Sequence, residues 1–183
     1  MQSRSVATIE DARNIVDHRG LHHVKVGVFD TDGVLRGKYM SREKFFAALD
    51  KGFGFCDVVL GWDVKDQLYD NTQFTGWHTG YPDAPVTIIP STCRDLPTED
   101  RGLFFLGEFA KPADAICPRG LLKRIITKAK EAGFIADCGF EYEFFVFNES
   151  PESIREKNYK NLNPLGPAEF GYSVIRNSVE SAT

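Results

Sequence analysis

Two glutamates separated by one residue, Glu141 and Glu143, are the side chains of this sequence best suited to bind metal ions. Side chains alternate across a β-strand, so both carboxylates would project from one face with their Cα atoms ~6.6 Å apart. That spacing allows each carboxylate to hold a different one of two neighbouring divalent cations, and hard cations such as Mg²⁺ favour carboxylate oxygens. The same alternation is also typical of an exposed acidic face on an amphipathic strand.

Two features of the residues around this pair weaken the interpretation as an exposed acidic face. Glutamate is a poor strand former, so two of them in one strand call for a reason other than β-propensity. Phe145 and Phe147 continue the glutamate face as apolar residues, which would place the carboxylates at the end of a partly buried surface. The opposite face is predicted to pack through aromatic side chains: Phe140, Tyr142 and Phe144.

Composition excludes several classes of protein. The 183 residues include 22 basic and 26 acidic side chains, for a formal charge of −4, and no basic stripe is present, so nucleic acid is not an expected partner. The four cysteines are widely spaced and form no zinc-ligand pattern, which favours a reduced compartment. No apolar stretch of ~18 residues occurs, so neither an export signal nor a membrane span is predicted. We therefore expect a cytoplasmic protein without a membrane partner.

The first forty residues carry strong local signals. Thr8 is a predicted N-cap with Asp11 three residues later, which indicates a helix over residues 9–19 that stops at Gly20. Residues 24–29 and 34–40 alternate apolar and polar side chains around Asp32-Gly33, a pattern that predicts a β-hairpin. A second helix is predicted between Ser41 and Gly52.

The rest of the chain is divided by its loop-forming residues. Between residues 52 and 97 only residues 86–89 are convincingly strand-like, and Leu103–Phe109 is a further predicted strand. Pro112 and Pro118 indicate a domain boundary before an amphipathic helix at Pro118–Glu131, which belongs to a second unit in this interpretation. Residues 134–147 are predicted to supply one or two strands. The polar segment 148–183 is predicted to form loops or to lack order.

Two stretches of the sequence resemble the glutamine synthetase family. CPRGLLKRIITKAKEAGF followed by CGFEYEFFVF is similar to that family's Pro-Arg-x-x-x-x-Arg helix and its Glu-x-Glu-Phe-Phe-x-Phe strand. VGVFDTDGVLRGKYMS resembles the first hairpin, in the Asp-x-x-Gly-x-x-Arg-Gly-Lys form of the glutamine-synthetase-like and γ-glutamyl-amine ligase branches. The resemblance extends over residues 24–147 and implies the N-terminal portion of such a protein.

The resemblance implies an α+β fold in three segments. A helix at residues 1–21 precedes a β-grasp-like N-terminal domain at 22–111, and residues 112–183 are the truncated, incomplete start of an α+β catalytic domain. It implies that Glu141 and Glu143 bind two catalytic divalent cations, Mg²⁺ or Mn²⁺. It also implies that a loop of the first domain reaches the active site of a neighbouring subunit in a homo-oligomer.

In the family that loop carries an Asp that helps to bind and deprotonate ammonium, and a Trp that flanks ATP. Asp57 and Trp62 lie at similar spacing here, although the sequence Cys56-Asp57-Val58-Val59 replaces the family's Phe-Asp-Gly-Ser-Ser motif. A solvated loop acid and a packing tryptophan are the alternative interpretations. The histidines at positions 22, 23 and 78 are interpreted as ordinary surface or turn residues, and Arg36 and Lys38 as exposed charges on a strand.

The implied function is an ATP-dependent ligase that joins glutamate, or a similar carboxylate, to ammonia or an amine through a γ-glutamyl phosphate intermediate. The family's remaining metal ligands, its substrate-binding loop and its phosphate-binding arginines have no counterpart after Glu143 in this sequence. We therefore expect the isolated chain to be inactive, as a fragment of a longer enzyme. The competing hypothesis is a truncated, non-catalytic remnant or association domain.

Overall fold

A helix, a hairpin and a second helix open the chain in the computed structural model, which describes residues 2–165. The strands are β1 His23–Phe29, β2 Leu35–Ser41, β3 Phe53–Cys56, β4 Asp83–Asp95 and β5 Leu103–Phe109. The α-helices are α1 Ile9–His18, α2 Arg42–Lys51, α3 Pro118–Glu131 and α4 Pro151–Glu156. Three short 3-10 helices lie at Ser3–Ser5, Asp57–Leu60 and Ala113–Ala115.

Helix α1 begins as its sequence predicts. The Thr8 hydroxyl accepts a hydrogen bond from the Asp11 backbone N–H at 3.1 Å, and the Asp11 carboxylate accepts one from the Thr8 N–H at 2.9 Å. These two bonds satisfy N–H groups that the first turn of a helix leaves unpaired. One face of α1 is then buried through Ala12, Ile15 and Val16.

The five strands form one mixed sheet in the order β2-β1-β5-β4-β3. The predicted hairpin is confirmed, because β1 and β2 pair antiparallel with Val24 opposite Met40. The central strands β1 and β5 are parallel, with Val26 opposite Phe105, and the remaining pairs are antiparallel. Gly37 is required in this hairpin because a Cβ at that position would lie 2.6 Å from the Val26 carbonyl oxygen. The predicted α+β class is confirmed.

Two clusters of buried side chains fill the protein. In the first, α1 and α2 cover the sheet, and the rings of Phe45 and Phe105 lie 4.8 Å apart between centroids. The second cluster joins the 3-10 helix Asp57–Leu60 to the sheet through Val59, Val86 and Phe109. The sheet therefore fixes the segment that begins at Asp57.

Helix α3 lies in the first of two compact units, Met1–Ala136 and Asp137–Thr183. This division differs from the predicted boundary at residue 112, since the Arg119 and Lys123 side chains both bind the Glu108 carboxylate of β5. No residue of α3 is buried. Its apolar stripe is half exposed, at 51–56% for Leu121, Leu122, Ile125 and Ile126.

The second unit, of which residues 137–165 are described, corrects two predictions. Residues 134–146 form no strand, and Phe147 makes an isolated bridge to Pro164. A strand needs a neighbouring strand that pairs with its backbone groups. Within the described residues, this segment has no ladder longer than that single bridge. The aromatic face is therefore not packed: its residues are 77–88% exposed at Phe140, Tyr142 and Phe144.

Residues 148–165 contain regular structure that the prediction of loops missed. Helix α4 begins at Pro151, with the Ser150 hydroxyl accepting a hydrogen bond from the Ser153 N–H at 3.2 Å. Proline at the first helical position and serine at the N-cap favour this start. The same prediction for residues 166–183 lies outside the described residues.

Candidate functional site

Asp57 begins the 3-10 helix Asp57–Leu60 and is only 3% exposed. One carboxylate oxygen accepts a hydrogen bond from the Thr75 hydroxyl at 2.6 Å, and the Asp57 backbone N–H donates to the Pro82 carbonyl at 3.0 Å. The alternative of a solvated loop acid is wrong for this chain. A buried carboxylate is costly unless it is hydrogen-bonded, so Thr75 stabilises an arrangement that sequence reasoning did not anticipate.

Trp62 follows that helix in the chain and is half-buried. The Arg36 guanidinium lies over its indole ring, 5.0 Å from the centroid, which is the geometry of a cation–π contact. The indole Nε1 is buried and has no hydrogen-bond partner. The indole N–H is thus a buried donor without an acceptor.

An open pocket of ≈ 610 Å³ lies beside the Asp57 segment. Thr75, which binds the Asp57 carboxylate, is one of its lining residues, and Leu60, Phe74 and Tyr69 line it as well. Burial raises the pKa of the Tyr69 phenol, and the nearby negative charge of Asp32 adds to this effect. The pocket is mainly apolar and borders on a hydroxyl that already holds a carboxylate.

Glu141 and Glu143 are exposed and lie in irregular backbone of the second unit. Their oxygen donors suit a hard cation such as Mg²⁺, but two carboxylates leave most of its coordination positions unfilled. Between residues 2 and 165, no group of three or more His, Cys, Asp or Glu side chains is placed to hold a metal ion. The two glutamates are of the right donor type for a metal ion, but they are too few to fill its coordination positions. Any further protein ligands must come from outside residues 2–165.

The interpretation of Arg36 as an exposed charge is wrong. Its side chain is 18% exposed and forms ion pairs with Asp30 at 2.8 Å and Asp66 at 2.6 Å. Lys38 is exposed as predicted, and its ammonium lies 4.9 Å from the Phe55 ring centroid. The sequence signal for the Asp30–Arg36 ion pair was the motif Asp-x-x-Gly-x-x-Arg itself, whose first and last residues meet across the hairpin.

The histidines lie apart from these groups. His22, His23 and His78 are exposed, and the His78 Nε2 atom lies 3.1 Å from the Gln73 carbonyl oxygen. The prediction of ordinary surface or turn histidines is confirmed.

None of the helices found between residues 2 and 165 is long and apolar enough to cross a membrane.

Comparison with known proteins finds similarity to glutamine synthetases and related ligases. Residues 115–179 match the family model described as the glutamine synthetase catalytic domain. Type-1 glutamine synthetase 2 of Dictyostelium discoideum is 45% identical over 162 residues, which are 86% of this chain and 31% of that protein. The glutamate–isopropylamine ligase of Pseudomonas sp is 32% identical over 99% of this chain and 40% of its own length.

The chain belongs to the glutamine synthetase family, and it corresponds to the N-terminal part of its relatives. It spans about a third of the length of the curated relatives that it matches. Glutamine synthetase of Plasmodium falciparum has a similar fold, with a TM-score of 0.51 at 19% identity over 73% of this chain and 24% of that one. The structure of GmaS with ADP matches at a TM-score of 0.50 and 16% identity, over 66% and 26% of the two chains.

Proposed function

We propose that this chain is part of an ATP-dependent carboxylate–amine ligase of the glutamine synthetase type. The observation that carries the proposal is the family match over residues 115–179, which contains Glu141 and Glu143. The parallel central strands of a mixed sheet support a β-grasp-like first domain, which we propose at residues 22–111. In the assembled enzyme, a substrate carboxylate attacks the γ-phosphate of ATP and releases ADP, and ammonia or an amine then displaces phosphate from the resulting acyl phosphate.

Glu141 and Glu143 supply two of the carboxylates for Mg²⁺ or Mn²⁺ in this proposal. A divalent cation neutralises phosphate charge during phosphoryl transfer. The two glutamates are exposed in irregular backbone, which is consistent with a strand whose partners belong to other parts of the enzyme. Their pairing with those parts would restore the alternation that brings both carboxylates to one face.

In this proposal Asp57 accepts a proton from the bound ammonium or alkylammonium ion, which leaves the free amine as the nucleophile, and Trp62 flanks the nucleotide. Both act on the site of a neighbouring subunit in a homo-oligomer. The Thr75 hydroxyl holds one Asp57 oxygen, which leaves acceptor capacity on the carboxylate for a second donor. General-base catalysis of this kind raises the fraction of free amine.

The amine class is the open choice within this function. The names of three relatives specify an organic amine or its amide: one specifies isopropylamine, one an ethanolamide and one an anilide. The pocket lined by Leu60, Phe74 and Thr75 has apolar walls that suit an organic substituent next to the Asp57 segment. We therefore favour a substituted amine over ammonia as the acceptor.

A chimera tests the proposal. Residues 1–183 replace the matching segment of the Dictyostelium relative, and ATP-dependent amide formation is measured with glutamate and ammonia, isopropylamine, ethanolamine or aniline. We expect activity that Glu143→Gln lowers while raising the Mg²⁺ concentration needed for half-maximal rate, since Gln keeps the shape and removes the charge. Glu156→Gln, an exposed glutamate of α4, is the matched control. Unchanged metal dependence in Glu141→Gln and Glu143→Gln would contradict the metal assignment.

Mixed oligomers test the shared site. Asp57→Asn and Glu143→Gln subunits are each expected to be inactive alone, and a mixture assembled from both is expected to regain part of the activity. Recovery requires that one subunit supplies Asp57 to the site whose glutamates belong to another. Asp70→Asn, which changes an exposed acid further along the same loop, is the control for Asp57. A mixture no more active than its components would contradict the interface assignment. Separately, the isolated 183-residue chain is expected to be inactive.

A further inference from the structure

The hairpin motif Asp30-x-x-Gly33-x-x-Arg36 is a connected set of contacts. Asp30 is fully buried, and its carboxylate accepts hydrogen bonds from the Val34 N–H and the Arg36 Nε–H, both at 2.8 Å. Gly33 has φ +82°, a conformation that glycine adopts without a steric penalty, and its N–H donates to the Asp30 carbonyl at 3.1 Å. The turn and the Arg36 side chain are thus held by one buried carboxylate.

Arg36 extends from this carboxylate to the loop that follows Leu60. Its Nη1 lies 2.6 Å from the Asp66 carboxylate, its Nη2 donates to the Asp63 carbonyl at 3.4 Å, and its guanidinium plane covers Trp62. The hydrogen bond to Asp30 is the main cause that raises the pKa of Arg36. A planar guanidinium has five donors in a rigid fork, which suits it to bind the hairpin and the loop at once, whereas an ammonium group has three donors and no plane to stack on the ring.

A second pair of contacts joins the same two segments. The Thr31 N–H donates to the Val59 carbonyl at 3.4 Å, and the Thr31 hydroxyl donates to the Leu60 carbonyl at 3.0 Å. Both acceptors lie in the 3-10 helix that begins at Asp57. The hairpin turn therefore supports the helix and the loop, and Arg36 supports the part that contains Trp62.

We propose that Arg36, anchored on Asp30, is a positioning residue that fixes the loop of residues 61–69 and with it the Trp62 ring. Its meaning for catalysis rests on the proposed function, because it acts through Trp62 and touches no substrate. The positioning itself is a property of this chain. It accounts for the contacts of a charged hairpin residue, which is only 18% exposed, with a tryptophan ring and an acidic side chain of the loop.

The test measures the loop directly. Trp77 is 82% exposed, so Trp77→Phe leaves Trp62 as the single tryptophan fluorophore. Arg36→Lys keeps a positive charge beside Asp30 and removes the fork that reaches the loop. We expect a red shift of Trp62 emission and a roughly tenfold loss of hydrogen-exchange protection at the Asp63 and Tyr69 amides, as one lost charge-assisted bond implies.

The matched control is Arg42→Lys, whose guanidinium also covers an aromatic ring, that of Phe46, and pairs with Asp17. It should leave Trp62 emission and the loop amides unchanged. Unchanged loop protection in Arg36→Lys would overturn the proposal, and so would an equal loss at the Val26 and Phe105 amides of the sheet, which would indicate general destabilisation.

A second variant covers the case in which Arg36→Lys does not fold. Asp66→Asn leaves the Asp30–Arg36 pair intact and weakens only the link to the loop. It should raise exchange at the Asp63 and Tyr69 amides by less than Arg36→Lys does, and no increase at all would overturn the proposal. These measurements need neither ATP nor an amine, so their outcome is independent of activity in the chimera.

Discussion

Replacing Glu108 by Gln should release helix α3 from the sheet. Glu108 lies on β5 with its side chain 13% exposed, and one oxygen accepts two hydrogen bonds from Arg119 at 2.8 and 2.9 Å. The other oxygen binds the Lys123 ammonium. Since α3 buries no residue of its own, this carboxylate contributes much of what holds it in place.

The size of the effect follows from the exposure of each partner. Arg119 is 28% exposed, so its bonds retain about 1.5–2 kcal/mol of the value typical for charged hydrogen bonds. Lys123 is 64% exposed, and such surface pairs contribute ~0.5 kcal/mol. Glu108→Gln should therefore weaken docking by about 2 kcal/mol, or roughly 30-fold. A free helix of this length is marginal in water, so helicity should fall as well.

Hydrogen exchange of the α3 amides, read beside far-UV circular dichroism, measures this change. A double-mutant cycle with Arg119→Met should give a coupling of at least ~1 kcal/mol, and one with Lys123→Met clearly less. The exposed pair Glu152–Arg155 of α4 is the reference for a surface contact. A larger coupling to Lys123, or unchanged exchange in α3, would refute the reasoning.

Lowering the pH should weaken the docking of helix α3 in the same way as Glu108→Gln. Burial alone would raise the pKa of Glu108, but hydrogen bonds from Lys123 and Arg119 hold it below its ordinary value. A carboxyl with a depressed pKa stabilises the folded state fully above its unfolded pKa of ~4.3 and loses that contribution as the pH falls through the folded value. Exchange in α3 of the unsubstituted chain should rise below about pH 4, whereas Glu108→Gln should lack this step.

Three further outcomes are expected. Cys138 is exposed and should react readily with iodoacetamide, whereas Cys93 is buried, which raises its pKa to about 12, and should react only after unfolding; peptide mass spectrometry that finds both modified equally would contradict this. Leu122→Glu interrupts the exposed stripe of α3 and should reduce self-association in sedimentation velocity, and an unchanged sedimentation coefficient in a self-associating sample would argue against it. Gly37→Ala places a methyl group against the Val26 carbonyl and should destabilise the chain by ~1–3 kcal/mol in urea, with an unaltered midpoint as the contrary result.

Local signals were sufficient wherever an element is fixed by its own residues. The Thr8 capping box, the Asp32-Gly33 turn and the glycine after α2 each act within a few residues, so the sequence predicts the helix, the hairpin and the second helix correctly. Strand β3 was not predicted. Its four residues depend on pairing with Ala84 and its neighbours in β4, which no local pattern reveals.

The candidate site was less accessible to sequence reasoning, for a related reason. Whether Glu141 and Glu143 share a strand face depends on partner strands, and the described residues show irregular backbone there. The burial of Asp57 depends on Thr75, eighteen positions away, and that of Asp30 on Arg36. The motif containing Asp30 was visible, but only the fold shows that its two charged ends meet.

The strand order has a consequence for how the protein is made. β1 pairs with β5, which begins 80 positions after His23, so the middle of the sheet cannot close until residue 109 has left the ribosome. Until then both edges of the β1–β2 hairpin are unpaired, and pairings of such large sequence separation form slowly. Nascent chains shorter than about 110 residues should therefore require chaperone protection, and those that include β5 should become protease-resistant in a single step.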